Sequence, residues 1–146
     1  MRSKKLAAWS MAELLVYVII IATISLITIP LLSGRTESAR RTAALHDVNR
    51  GISAALDNYE ADNGRYPTTA QGLEALLIKP TSGPVPMNYN PGGYLRKKSD
   101  LIDPWGNPYI YKSPGDHNKY SYDLSSYGPD GKAGGEEENR DINNWE

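Results

Sequence analysis

The chain has 146 residues, 40% of them hydrophobic and 23% charged, a net charge of −1, ten tyrosines, no phenylalanine and no cysteine. That length allows one domain plus an appendage, and the missing cysteines exclude a disulfide framework, a thiolate zinc site and a cysteine nucleophile. The balanced charge gives no pull toward nucleic acid.

Residues 1–8 (MRSKKLAA) are short, basic and end in small residues. Leu14–Leu32 is an uninterrupted apolar and small-polar run, about 28 Å long as a helix, close to the roughly 30 Å hydrocarbon thickness of a bilayer. Glu13 is the single charged residue between Leu6 and Gly34. A carboxylate at mid-bilayer costs roughly 2.5–3.5 kcal/mol on insertion scales, so an acid in a span is a functional feature by default. A cleavable secretory signal would have an apolar stretch of about 7–15 residues and no acid. An ordinary signal anchor accounts for the length but not for Glu13, and a carboxyl reaching to the headgroups is the plainer reading of that residue. Arg2, Lys4 and Lys5 precede the span while Arg35, Arg40 and Arg41 follow it. A basic head inside, with the long C-terminal part outside, is the simpler topology.

Pro30 and Ser33-Gly34 weaken the helix without ending it. Beyond them Leu45, Val48, Ile52, Ala55, Leu56 and Tyr59 recur at 3–4 spacing, which predicts one apolar stripe, and Asn63-Gly64 supplies a C-cap. One helix is expected from about residue 9 to 62, its first half in lipid. Thr68-Thr69-Ala70-Gln71 reads as a capping box before a short helix carrying Leu73, Leu76 and Leu77. Residues 79–93 hold four prolines and three glycines and read as an ordered loop. Tyr94–Arg96, Tyr109–Lys112 and Lys119–Leu124 are expected to form a small antiparallel meander, separated by the turns Asp103–Pro108 and Ser113–Asp116. Ser125–Glu146 is rich in glycine and acids, with Trp145 next to its end.

The head of the span, Ala8-Trp9-Ser10-Met11-Ala12-Glu13-Leu14-Leu15-Val16, resembles the processing site of type IV pilins and pseudopilins. Pro30, 21 residues after Trp9, stands where that family has its membrane-helix proline. The resemblance implies cleavage between Ala8 and Trp9 by prepilin peptidase and N-methylation of Trp9; the family prefers Gly before the cut and Phe after it. It also implies that Glu13 meets the new terminal amine of a neighbouring subunit and sets the stagger of a helical filament. Pairing within one chain, four residues apart, is the competing arrangement. Tyr66–Leu76 and Asp103-Pro104-Trp105-Gly106-Asn107-Pro108-Tyr109 read, as physics, as a capped helix and a turn held by Trp105. They also resemble the major, G-type pseudopilins of type II secretion systems, with the similarity running from Trp9 to Trp145. The fold so implied is α+β and type IV pilin-like: a long N-terminal helix, its first half transmembrane, on a small antiparallel sheet with a C-terminal calcium loop. Its parts are a leader (1–8), a transmembrane polymerisation helix (9–33) and a periplasmic domain (34–146).

By composition alone, Ser126–Asp141 reads as a solvated acidic loop, although its carboxylates and carbonyls suit a hard cation taking about 6–8 oxygens. It lacks the EF-hand pattern. The resemblance implies one Ca2+, held by Asp130, Asp141 and the Tyr127 carbonyl, with the Lys132 carbonyl and Glu136 or Glu138 as further candidates. The implied partners are copies of the same chain, other pseudopilins, the peptidase, and an inner-membrane assembly platform with its cytoplasmic ATPase. The implied place is the bacterial inner membrane, crossed once, with the domain in the periplasm.

Catalytic machinery is not expected. His46 and His117 read as solvated or packed histidines, no glycine-rich phosphate loop follows a strand, and Arg96-Lys97-Lys98 reads as a solvated edge. A type IV pilin, a minor pseudopilin and a signal-anchored periplasmic binding or enzyme module are the alternatives. Glu13 argues against a tip subunit, which often lacks that acid.

Overall fold

A computed structural model describes residues 11–146, with no account of the side chains of residues 25–35. It divides into two compact units, Met1–Ser38 and Ala39–Glu146. The expected leader, and with it Ala8 and Trp9, lies outside the described residues. Pro30 is among the residues whose side chains are not described.

Helix α1 (Met11–His46) runs into a π-helical turn (Asp47–Gly51) and then α2 (Ile52–Asn63). The long helix is thus as expected, and Gly64 ends it as a left-handed cap at φ 74°, its N–H donating to the Glu60 carbonyl at 2.6 Å. A side chain at that φ would be strained, which is why glycine closes the helix. The π turn was not legible. Its wider winding makes the buried positions Ala44, Val48 and Ile52 fall four apart, so Ala44 is buried in place of the expected Leu45, which is 43% exposed. Ser53 Oγ donates to the Val48 carbonyl, five residues back, at 2.5 Å.

Within the Ala39–Glu146 unit, Ala44, Val48, Ile52, Ala55, Leu56 and Tyr59 pack with Leu73, Leu76, Leu101, Tyr109, Tyr122, Leu124 and Ile142 in one core. Burying a side chain such as Leu56 contributes about 1.5–3 kcal/mol. Three phenols bolt the helix to what surrounds it: Tyr109 Oη donates to Asp47 (3.0 Å), Tyr66 Oη to Asp57 (3.2 Å) and Tyr94 Oη to Asp62 (2.9 Å). Burial, reinforced by the Asp47 carboxylate, pushes the Tyr109 phenol far above its ordinary range, so it stays a donor.

The capping box forms reciprocally, Thr68 N–H to Gln71 Oε1 (3.1 Å) and Gln71 N–H to Thr68 Oγ1 (3.3 Å), but opens a single 3-10 turn, Leu73–Leu76, rather than an α-helix. The sheet is antiparallel, in the order β1 (Ile110–Lys112), β2 (Asp123–Ser126), β3 (Ile142–Asn143). Two expected strands are corrected. Tyr94–Arg96 is not a strand: the N–H groups of Tyr94 and Leu95 both go to the Leu76 carbonyl, and the Tyr94 ring packs against Tyr59 and Tyr89. Most of Lys119–Leu124 is turn, and pairing begins only at Asp123. The third strand comes instead from the C-terminal segment.

Candidate functional site

Two regions carry the residues singled out in the sequence. The first is α1. From Leu14 to Ile24 its large apolar side chains stand 46–64% exposed, and Glu13 lies in its first turn. Among the described residues no helix is long and apolar enough to cross a membrane; the run expected to do so, Leu14–Leu32, extends into residues 25–35.

The second is the C-terminal loop. It leaves β2 through Tyr127, turns as a 3-10 segment at Gly128–Asp130, and reverses at Gly131 with φ 63°. A second 3-10 turn covers Glu137–Asn139 before β3. Residues 131–140 are all exposed. Asp130 Oδ1 accepts the Lys132 N–H (3.2 Å), and Asp141 Oδ2 accepts the Gly134 N–H (2.9 Å). The other oxygen of Asp141, Oδ1, is buried without a hydrogen-bond partner. A buried carboxylate oxygen costs free energy unless something pairs it. Asp141 also lines a cleft of about 310 Å³ with Tyr127, Asp116, His117, Asn143 and Trp145.

The expected ligands are therefore placed on one loop but not drawn together: among the described residues no group of three or more His, Asp or Glu is arranged to hold a metal ion. Glu136, Glu137 and Glu138 point to solvent.

Three features of this region were not foreseen. His117 stacks on Trp145 with ring centroids 4.2 Å apart, and its Nδ1 lies 3.1 Å from Asp123 Oδ2. Asp123 accepts the N–H groups of Asp116 (2.7 Å), His117 (2.9 Å) and Asn118 (2.9 Å). Burial alone would raise its carboxyl, but those donors, His117 and Asn118 foremost, outweigh burial and hold it below the usual carboxylate range. Finally, Arg41 Nη1 on α1 donates to the Arg140 carbonyl at 2.8 Å. The first two had a faint signal in the turn residues around Gly115; the last, across 99 positions, had none.

Comparison with known proteins agrees over most of the chain. The family model described as type II secretion system protein G matches residues 32–145. A Pseudomonas aeruginosa type II secretion system core protein G is 43% identical over 146 residues, covering 100% of this chain and 99% of that protein. The Escherichia coli protein of the same description is 41% identical, covering 97% of this chain and 92% of its own. The crystal structure of the major pseudopilin from the type 2 secretion system of enterohaemorrhagic Escherichia coli superposes with a TM-score of 0.65 at 42% identity, covering 78% of this chain and 93% of that one.

Proposed function

The chain belongs to the type II secretion system protein G family, and we infer that it is stored in the inner membrane and polymerises from there into a periplasmic filament that drives protein export. It is a structural subunit of the pseudopilus. The observation that carries the membrane and assembly reading is the exposed apolar face from Leu14 to Ile24. A continuous apolar surface of that kind is stable in lipid or against other copies of itself. Moving from one to the other exchanges apolar contacts for apolar contacts, so the net free energy is small. An assembly platform driven by a cytoplasmic ATPase then decides the direction.

In this reading prepilin peptidase removes residues 1–8 and methylates Trp9, and the α-amine so created meets Glu13 of a neighbouring copy. At about 4 Å and an effective dielectric near 20 such a pair is worth roughly 4 kcal/mol before desolvation. That is enough to select one stagger among many apolar ones. The deciding experiment is mass spectrometry of the protein from native envelopes. The expected mass is that of residues 9–146 plus one methyl group; an intact Met1 would make the chain a simple anchored module.

The C-terminal loop fits calcium in the kind of its donors, all hard oxygens, and in the buried, unpaired Oδ1 of Asp141. Asp130, Asp141 and the Tyr127 carbonyl would hold the ion, with the Lys132 carbonyl and Glu136 or Glu138 completing the set. Bound there, calcium supplies the positive charge that lets these acids converge. The chain's own part is to keep Asp141 Oδ1 from solvent and to carry the other donors on an exposed loop whose full ordering waits for the ion.

A further inference from the structure

The C-terminal loop is sparsely bonded within itself, yet its two ends are held firmly by residues far away in sequence. At the start, Asp103 is 4% exposed and its carboxylate organises the turn that follows it: Oδ1 accepts the N–H groups of Trp105 (3.0 Å) and Asn107 (2.8 Å). Its Oδ2 accepts the Ser126 hydroxyl (2.6 Å), and Ser126 Oγ in turn accepts the Gly128 N–H (3.1 Å). Asn107 Nδ2 donates to the Gly128 carbonyl at 2.9 Å. The Gly128 carbonyl is therefore held by Asn107 directly, and its N–H by Ser126, which Asp103 holds in turn. Gly131 closes over the same amide, since a Cβ there would stand 3.0 Å from Asn107 Oδ1. At the other end Arg41 holds the Arg140 carbonyl. The two ends also meet, because a Cβ on Gly128 would lie 3.7 Å from the Arg140 oxygen. Gly128 and Arg140 thus form a neck, with Tyr127 and Asp141 just outside it and Asp130 just inside.

We propose that Asn107 and Arg41 are positioning residues for the cation loop, gripping its neck at Gly128 and Arg140 so that Asp130 and Asp141 are presented to calcium from a fixed base. This rests on the calcium reading above and adds to it two residues that touch no ion. The physical reason is preorganisation. A loop of more than ten exposed residues must lose conformational freedom when it closes on a cation. A neck already fixed removes part of that loss from the binding step. Outer partners of this kind typically alter metal affinity 10–100-fold when removed.

The test uses the full-length chain in detergent micelles, titrated with Ca2+ alone and followed by calorimetry and by protease protection of residues 126–146. Asn107→Ala removes the amide donor and keeps the backbone bonds to Asp103; Arg41→Ala removes the second grip at a partly exposed site. Each is expected to weaken calcium binding about tenfold, and Arg41→Lys, which restores a donor, to recover part of the loss. A purely structural role would lower the melting temperature in the absence of calcium and leave Kd where it was. Wild-type Kd in both alanine variants, whatever their melting temperatures, overturns the proposal. Absence of any calcium response in the unsubstituted chain overturns the calcium reading itself and the proposal with it, so the two failures are distinguishable.

Discussion

Asp123 and Asp141 are carboxylates about twenty residues apart in one small domain, and their surroundings are opposite. Asp123 has its needs met locally, by three consecutive backbone N–H groups and the His117 ring. Asp141 has one oxygen bonded to Gly134 and the other buried with nothing to bond. The first closes a turn that is complete as it stands. The second belongs to the loop proposed above to take calcium. The difference separates the two acids more clearly than charge does: the bonds of Asp123 are those of a scaffold residue, and the unpaired oxygen of Asp141 is the observation on which the calcium proposal rests.

The contrast is open to direct attack. The largest effect is expected from Asp123→Ala, which strands the N–H groups of Asp116, His117 and Asn118. A hydrogen bond to a charged group contributes about 1.5–3 kcal/mol and three of them are lost, so urea unfolding should show a loss of about 3 kcal/mol or more, with calcium or without it. Next comes calcium itself. At a hundredfold excess over Kd it should stabilise the unsubstituted chain by about 2.7 kcal/mol. Asp141→Asn should lose that increment while its stability under chelation stays within about 1 kcal/mol of the unsubstituted chain. A large loss in chelator would place Asp141 with Asp123 in the scaffold. The smallest effect concerns pH. Because the Asp123 carboxyl is held low in the folded state, its contribution is fully present above the ordinary aspartate value of about 3.9 and disappears as pH falls through its lowered folded value. In Asp123→Asn that part of the acid unfolding curve should be missing, and thermal melts between neutrality and pH 3 measure it.

What could be read ahead followed the range of the interaction. The Gly64 cap and the reciprocal bonds of Thr68 and Gln71 are contacts across three or four residues, and both formed as expected. The helix stripe was legible except at Leu45, where the π turn shifts the buried face to Ala44. Strands were harder. The tyrosine-rich Tyr94–Arg96 looks like a strand because Tyr94 is large and flanked by an apolar neighbour, but its ring was serving the cluster with Tyr59 and Tyr89. Strand β3 is two residues long and pairs only because β2 has a free edge there, which no local pattern announces. The loop acids were singled out from composition and resemblance together. The residues that hold the loop's neck were not, since Arg41 comes to Arg140 from 99 positions away, Asn107 to Gly128 from 21 and Asp103 to Ser126 from 23. A residue whose task is to hold another residue's backbone leaves little trace in its own neighbourhood.

The tyrosine bolts along the helix have a mechanical corollary. Had the interior been filled with phenylalanine, its rings could slide over one another at little cost, and the rod could twist or creep inside its sleeve. Hydroxyls seated on Asp47, Asp57 and Asp62 are directional and spaced over four turns or so, resisting both rotation and axial slip. A link built this way resists shear between the helix and the elements packed on it, a fitting property for a structural subunit of a pseudopilus.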